Sequence, residues 1–223
     1  MEAGITAQQR GAPALHPLLR LVAADGSAAH RWVATLREAQ GHDAMRNLAD
    51  AAHFLCMLHG RQPGVIEHAA DGAAGTPAAA GLARVAEAFG TERSFVTRVA
   101  VASGPAPSTP GAAQSEQAVA TQVHALEMLS LSERRGCAAG AALALALDWQ
   151  AVRPVLSLVA ARCGIDPQPS SLPGAAETEV LLSVFADSER ALMFGASQLL
   201  AQHRGLLDLL EARAVARRVA DGF

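Results

Sequence analysis

The sequence predicts an all-α fold, a single-domain bundle of about eight to ten helices that spans residues 1–223. Alanine, which has the strongest intrinsic preference for helices, supplies 51 of the 223 residues. Residues that begin and end helices recur along the chain, whereas no alternation of β-branched residues is long enough to form a strand. Helices packed around one hydrophobic core therefore account for the whole pattern.

Capping residues place the helices of the N-terminal half. Ser27 and Asp43 each precede an apolar run and can accept a hydrogen bond from the first helical turn, and Gly60 follows the second run. Thr76 with Pro77 repeats this kind of start. These signals predict helices from Ser27 to Gly41, from Asp43 to His59, from Thr76 to Gly90 and over about 92–102.

Two proline-rich loops, near 103–111 and 164–174, divide the C-terminal half. A helix of about 20 residues follows the first loop, and Ser130 with Glu133 forms a capping box that predicts a break after it. The remaining signals predict a helix that ends at Cys163 and is kinked or restarted over 148–154, an amphipathic helix over 175–203 and a shorter helix over 206–219.

The longest uncharged apolar run, Gly136–Leu147, predicts a buried helix in the centre of the bundle. Gly136 and Gly140 have no side chains, so another helix can approach this run closely. The run has 12 residues and is closed by Asp148, whereas a helix needs about 20 apolar residues to cross a bilayer. We therefore expect no membrane partner.

The composition excludes several classes of function. All 18 basic residues are arginine, which excludes pyridoxal-phosphate enzymes, Walker-type NTPases and protein kinases, because each needs a lysine. A net charge of −3 predicts no nucleic-acid partner. The one basic cluster, Arg213, Arg217 and Arg218, is expected to complement the negative end of the last helix. Three cysteines without a CxxC pair and an N-terminus unlike a secretory signal predict a cytoplasmic protein.

A polar stripe runs along the otherwise apolar helix that is predicted to end at His59. Asp50, His53, Cys56 and His59 follow one another at steps of three residues, which places neighbouring Cβ atoms about 5–6 Å apart. Asp50 is expected to pair with His53, and a carboxylate that orients an imidazole is typical of a general base. We take these four residues, together with the guanidinium of Arg61, as the candidate ligand-binding site.

The same stripe has a structural interpretation and a metal-binding one. In the structural interpretation Asp50 and His53 are buried and bind each other, so His53→Ala would cost about 1–3 kcal/mol by leaving Asp50 without its partner. In the metal-binding interpretation Asp50 and His53 would share an ion with His124 and Glu127, which lie three residues apart on the helix after the first proline-rich loop.

The sequence does not identify an activity, and three interpretations remain open. The first is a soluble cytoplasmic protein with a non-catalytic role that binds a partner or an apolar small molecule and needs no cofactor. The second is a bundle-type oxidoreductase that depends on iron or haem and uses Asp50, His53 or His59. In architecture alone, the number and length of the helices resemble those of ferritin-like and haem-oxygenase-like bundles. The third, compatible with both, is a homo-oligomer such as a homodimer formed through the helix over 175–203.

Overall fold

The computed structural model describes residues 15–222, which form an all-α bundle with no strand in that range. The predicted fold class is therefore confirmed, while the extension of one domain over the whole chain stays a prediction. The described range holds nine helices: α1 (Pro17–Asp25), α2 (Arg31–Glu38), α3 (His42–His59), α4 (Val65–Gly72), α5 (Ala79–Ala102), α6 (Ala112–Ser130), α7 (Cys137–Arg162), α8 (Ala175–Leu182) and α9 (Glu189–Ala220). Two 3₁₀ segments, Ser27–Ala29 and Ser183–Ser188, precede α2 and α9.

Helix α7 forms the centre of the bundle and packs most extensively against α9. Nearly every side chain in the N-terminal half of α7 is buried. This half consists mainly of alanine and leucine up to Asp148, so all of its sides are apolar. By length and composition α7 could cross a membrane, but 67% of its most apolar window is buried inside the bundle. Such burial is expected of a core helix that is apolar on all sides.

Two glycines allow α7 and α9 to approach each other closely. A Cβ atom at Gly140 would lie 1.9 Å from the carbonyl oxygen of Leu192, and one at Gly195 would lie 1.9 Å from the carbonyl oxygen of Cys137. Both distances are far below van der Waals contact, so neither position has room for a side chain. The close approach predicted at Gly140 is confirmed, and Gly195 is its counterpart on α9.

The start of α2 differs from the prediction. His30 caps this helix, because its Nδ1 accepts a hydrogen bond from the backbone N–H of Trp32 at 3.1 Å. Ser27 lies in the preceding 3₁₀ segment, and its hydroxyl binds the carboxylate of Asp148 instead. Asp43 lies in the first turn of α3 and does not cap it. The hydroxyl of Ser27, which the sequence predicts as a helix cap, therefore binds the buried carboxylate of Asp148.

Several predicted interruptions lie inside continuous helices. Gly90 lies within α5, whose buried face continues across it from Phe89. Helix α7 runs through Asp148 and Pro154 without restarting, and α9 runs through Gly205 as one helix. The burial of a continuous apolar face outweighs the roughly 1 kcal/mol that a glycine costs inside a helix.

One predicted helix is divided and two predicted loops are confirmed. The stretch over 175–203 consists of α8, a 3₁₀ segment in which Phe185 has non-helical backbone angles, and the first half of α9. The segments 104–109 and 165–174, which are rich in proline, form no helix. These segments connect α5 to α6 and α7 to α8.

Candidate functional site

Asp50 is buried against α9 and does not contact His53. Its carboxylate accepts hydrogen bonds from Arg213 at 3.0 and 3.1 Å and from Arg217. The hydroxyl of Thr109 accepts further hydrogen bonds from both guanidiniums. Arg217 lies in the last turn of α9, as the sequence predicts, and a buried carboxylate holds both Arg213 and Arg217 there.

The cluster around Asp50 contains two arginines for one carboxylate. Asp50, Arg213 and Arg217 are all more than nine-tenths buried. Nη1 of Arg213 has no hydrogen-bond partner among the residues that the structure describes. Arg217 also donates to the side-chain oxygen of Asn47, and the guanidinium of Arg213 lies 4.6 Å from the ring centroid of Phe54. These neutral contacts partly compensate the excess positive charge and join α3 to α9.

His53 turns away from Asp50 toward the loop that follows α5. Its Nε2 donates to the carbonyl oxygen of Gly104 at 2.8 Å, and the side chain is half-buried. Residues three apart on a helix point about 60° apart around its axis, which directs Asp50 to α9 and His53 to the loop. The predicted Asp50–His53 pair is therefore wrong, and so is the expectation that His53→Ala leaves Asp50 without its partner.

The other three predicted residues lie in different environments. Cys56 is half-buried, with its sulfur 3.8 Å from the hydroxyl of Thr97. Arg61 is exposed, and its guanidinium lies 3.9 Å from the carboxylate of Glu127. His59 is buried and lines a cavity together with Arg61. Of the five predicted site residues, the structure thus brings His59 and Arg61 to one cavity.

The predicted metal set is not assembled. Both carboxylate oxygens of Asp50 are bound by guanidiniums, whereas His124 and Glu127 are exposed on α6, 3.7 Å apart. Across residues 15–222, no three or more histidine, cysteine, aspartate or glutamate side chains are grouped so as to hold a metal ion. The prediction that Asp50, His53, Glu127 and His124 share an ion is therefore wrong.

Four buried polar side chains form a chain across the centre of the bundle. We call Ser27, Asp148, His203 and His59 the buried polar chain. The hydroxyl of Ser27 donates to the carboxylate of Asp148 at 2.5 Å, and its backbone N–H donates at 2.6 Å. Nδ1 of His203 donates to the same carboxylate at 2.6 Å. Nε2 of His203 lies 2.7 Å from Nε2 of His59.

The carboxylate at one end fixes one proton of the buried polar chain. An ionised Asp148 only accepts hydrogen bonds, so His203 carries a proton on Nδ1. Across the contact between the two Nε2 atoms, one imidazole donates and the other accepts.

Burial and neighbouring groups keep Asp148 ionised and His59 neutral. Burial raises the pKa of the Asp148 carboxyl, but hydrogen bonds from His203 and Ser27 outweigh this effect and hold the pKa below its ordinary value. Burial is also the main reason why the pKa of His59 lies well below its ordinary value, and repulsion from His203 and Arg93 lowers this pKa further. His59 is therefore a neutral imidazole near pH 7.

His59 lines a cavity of about 50 Å³, which we call the inner cavity. Its ring makes edge contacts with the rings of Phe89 and Trp149, whose centroids lie 6.2 and 5.7 Å away. Arg93 also lines this cavity and donates to both carboxylate oxygens of Glu67, at 2.7 and 2.9 Å. Burial raises the pKa of Glu67, but hydrogen bonds from Arg93 and a backbone N–H hold that pKa below its ordinary value.

A larger open groove of about 980 Å³ lies where α4, α7 and α9 meet the segments that connect them to their neighbours. Much of its surface is made of small apolar residues, and the rings of Phe185 and Phe194 add aromatic surface. Phe194 is 43% exposed although it is a large apolar side chain. The groove shares His68 and Ser130 with the inner cavity, so the two spaces are neighbours.

The groove has a surplus of positive charge. Arg134, Arg135 and Arg190 line it and form no ion pair with any residue in the range 15–222. The groove is lined by two carboxylates, those of Glu133 and Asp187, and by these three arginines, so positive charges outnumber negative ones. Helices α7 and α9 both begin at the groove, and the N-terminus of a helix carries a partial positive charge.

Sequence reasoning misses Asp148, His203 and the groove. Asp148 is the single charged residue between Gly136 and Ala151, and an isolated carboxylate in an apolar helix requires a partner. His203 gives a similar signal, because the sequence places it on the apolar face of its helix. Neither signal identifies the partner, since the two residues are 55 positions apart. The groove is formed by several separate segments, and no local pattern marks it.

The comparisons with known proteins identify a family but no characterised relative. No curated protein matches the chain, and no solved structure matches it. A family model, described as a family of unknown function (DUF6975), matches residues 22–218. This range includes the buried polar chain and the three arginines of the groove. The match covers most of the sequence, and the chain belongs to the family of unknown function DUF6975.

Proposed function

We propose that this protein is a non-catalytic binding protein for an amphiphilic anion, a molecule with an aliphatic body and a carboxylate head, which occupies the groove. The observation that carries the proposal is the presence of three arginines without ion-pair partners beside an apolar surface. The groove volume of about 980 Å³ lies within the range of roughly 300–1,000 Å³ that is common for ligand sites.

The arginines supply the contacts for the head group. The buried arginines Arg93 and Arg153 bind carboxylates of this chain at 2.7 Å, whereas those of the groove leave their donors available. Arg134 lies against Phe194, with its guanidinium carbon 5.5 Å from the ring centroid, so aromatic and cationic surface are adjacent. A guanidinium binds a carboxylate through two parallel hydrogen bonds, which favours this head group over a hydroxyl.

The backbone at the start of two helices also favours an anion in the groove. Ala138 and Ala139 lie in the first turn of α7, and Arg190 and Ala191 lie in the first turn of α9. All four residues line the groove. The N–H groups of a first helical turn have no acceptors within the helix, and they favour a nearby anion.

The remaining groove surface suits an aliphatic body. Alanines of α4, α7 and α9 contribute small, smooth apolar surface, and Phe185 and Phe194 contribute larger surface at one side. Each buried methylene group contributes about 0.8 kcal/mol to binding. A chain of several methylenes therefore supplies most of the affinity, while the arginines determine which end is bound at the charged side.

A calorimetric titration with decanoate, at concentrations at which it is monomeric, tests the proposal. The key variant is Arg134→Gln/Arg135→Gln/Arg190→Gln. The matched control is Arg84→Gln/Arg98→Gln/Arg218→Gln, which removes the same number of charges from exposed arginines outside the groove. Decanol, which lacks the carboxylate, is the ligand control.

We expect decanoate to bind the unmodified protein and the control variant with equal affinity. The groove variant should bind it about threefold to a hundredfold more weakly, because up to three exposed ion pairs of about 0.2–1 kcal/mol each are lost. Decanol should bind all three proteins equally, with about the affinity that decanoate has for the groove variant, because it keeps the aliphatic body and lacks the carboxylate. The proposal fails if the groove and control variants lose the same affinity, or if decanol binds as tightly as decanoate.

We also propose a cytoplasmic location and a homodimer formed through α8 and the 3₁₀ segment that follows it. Val180 and Val184 are 73% and 41% exposed, which supports an apolar contact between two copies at this end of the bundle. Light scattering tests the dimer over a range of concentrations. A mass that corresponds to the monomer at the highest concentration would contradict it.

A further inference from the structure

The groove continues into a smaller one between α6 and α9, which we call the side groove. Its volume is about 220 Å³. Ala125, Met128, Leu129 and Ser132, from α6 and the residues that follow it, line one side, and residues of α9 line the other. Ser132 and Phe194 line both the groove and the side groove, so the two spaces meet beside Phe194. A ligand that lies against Phe194 therefore has a path out of the groove along α9.

The two helices run antiparallel along the side groove, and a side chain bridges them at its far end. The junction with the groove brings Ser132, after the end of α6, to Phe194, near the start of α9. At the other end, Nε2 of Gln122 on α6 donates a hydrogen bond to the carbonyl oxygen of Gln202 on α9 at 2.9 Å. Gln202 also lines the side groove, which therefore ends near this bridge.

One face of α9 connects the charged part of the groove to the far end of the side groove. Arg190, Phe194, Gln198 and Gln202 follow one another at steps of four residues, which keeps their side chains near one face of the helix. Arg190 lines the groove, and Gln198 and Gln202 line the side groove. At a rise of about 1.5 Å per residue, roughly 18 Å separates Arg190 from Gln202 along the helix axis.

The side groove suits an aliphatic chain. Within the range 15–222, none of the side chains that line it is charged. Met128 and Phe194 are 59% and 43% exposed, although both side chains are large and apolar. An aliphatic chain that covers them removes this apolar surface from water, and the flexible side chain of methionine can adapt to the shape of the ligand.

The length of this path determines the length of the ligand. An extended aliphatic chain advances about 1.25 Å per carbon, because its bonds of about 1.5 Å meet at a nearly tetrahedral angle. About 14 such steps cover the roughly 18 Å from Arg190 to Gln202. Decanoate extends only about 11 Å, so a decanoate bound at Arg190 passes Phe194 and ends before Gln202.

We infer that the side groove binds the distal part of the aliphatic chain, and that the ligand is a long-chain fatty acid of about 14 to 16 carbons. This inference rests on the function proposed for the groove and specifies its ligand class. The carboxylate lies at the arginines of the groove, and the chain ends near Ala125 and Gln202.

Calorimetric titrations with decanoate and tetradecanoate, both below the concentrations at which they form micelles, test the inference. The key variant is Ala125→Glu, which adds a carboxylate at the far end of the side groove. The matched control is Ala120→Glu, which adds the same charge to an exposed alanine of α6 outside the side groove. Decanoate is too short to reach residue 125, so its affinity shows whether the groove of each variant is intact.

We expect the unmodified protein and the control variant to bind tetradecanoate about tenfold to a few hundredfold more tightly than decanoate, because each further methylene contributes up to about fourfold. Ala125→Glu should lower the affinity for tetradecanoate at least about tenfold, since the new carboxylate loses hydration against the aliphatic chain. The same variant should bind decanoate as the unmodified protein does.

Two outcomes would overturn the inference and leave the proposed function intact, provided that decanoate binding still depends on the arginines. One is an unmodified protein that binds tetradecanoate no more tightly than decanoate, a result that needs no variant. The other is an equal change in tetradecanoate affinity for Ala125→Glu and Ala120→Glu, because the chain would then not reach the side groove. If neither acid depended on the arginines of the groove, the proposed function and this inference would both be wrong.

Discussion

Nδ1 of His203 donates a hydrogen bond to the carboxylate of Asp148 across 2.6 Å, and the two side chains are 2% and 1% exposed. This contact joins α9 to α7 in the centre of the bundle. Ser27 adds two hydrogen bonds to the same carboxylate from the 3₁₀ segment before α2. A buried charge is tolerated only while its partners are present, so removing one partner of this carboxylate is costly.

We expect Asp148→Asn to lower the free energy of unfolding by about 2–4 kcal/mol, because charge-assisted hydrogen bonds from His203 and Ser27 are weakened together. Ser27→Ala should have a smaller effect, about 0.5–1.5 kcal/mol, since the backbone N–H of residue 27 still donates. Urea unfolding of both variants measures these differences. Equal losses of stability for Asp148→Asn and Ser27→Ala would show that the Asp148 carboxylate is not the central contact of the buried polar chain.

Stability should decrease as the pH falls below about 6.5, the ordinary pKa of histidine. The unfolded chain takes up a proton at His59 in this range, whereas the folded chain does not, because burial, His203 and Arg93 hold the folded-state pKa well below that value. The slope contributed by this group is up to about 1.4 kcal/mol per pH unit. Asp148, whose pKa is also lowered when folded, adds a further loss below about pH 4.

Unfolding free energies measured from about pH 8 to about pH 5 test this pH dependence. The comparison is between the slopes of the unmodified protein and His59→Phe, because the variant removes the titrating group whatever its absolute stability. The charged or titratable groups around His59 are His203 on α9, Asp148 on α7, Arg93 on α5, and Glu67 and His68 on α4. If the unfolding free energy of His59→Phe depended on pH with the same slope as that of the unmodified protein, His59 would not be the titrating group. The pH dependence would then belong to one of its neighbours.

Asp50→Asn should cost about 3–5 kcal/mol, because it leaves the two buried guanidiniums of Arg213 and Arg217 without a counter-charge. A second substitution, Arg213→Met, should recover part of this loss by removing one of the unpaired charges. His53→Ala should cost only about 0.5–1.5 kcal/mol, the value of its hydrogen bond to the carbonyl of Gly104. Thermal unfolding of the variants would contradict this account if His53→Ala were as damaging as Asp50→Asn.

Gly140→Ala should destabilise the protein by about 3 kcal/mol or more, because the new methyl group would overlap the carbonyl oxygen of Leu192 and push α7 and α9 apart. Gly90→Ala is the matched control, since Gly90 also lies inside a helix but has open space at its Cβ position. This control should gain about 0.4–1 kcal/mol. A similar loss for both variants would mean that the effect of Gly140→Ala does not come from the helix contact.

Much of the fold could be predicted from the sequence, because its helical signals are local. The alanine content, the capping residues and the proline-rich loops predict the all-α class and most of the helices. The errors are local too: Gly90 and Gly205 lie within helices, since burial of the neighbouring apolar face decides whether a helix continues. The close approach at Gly140 could be predicted, because a glycine in the middle of a buried apolar helix leaves room for a neighbouring helix.

The candidate site was harder to predict, because its contacts join residues far apart in the chain. The stripe that contains Asp50 and His59 correctly indicates polar groups inside the bundle, but the spacing suggests neighbours on one helix as partners. The actual partners, Arg213 for Asp50 and His203 for His59, lie on α9. Such pairings depend on how the helices pack, and no single helix contains this information.

The most direct test of the proposed function is to locate decanoate on the protein by intermolecular nuclear Overhauser effects. The account predicts cross-peaks from the methylene protons of decanoate to the ring protons of Phe185 and Phe194. Cross-peaks confined to residues elsewhere, for example around Arg37 and Pro154 beside the proline-rich segment that follows α7, would contradict the assignment of the groove as the binding site.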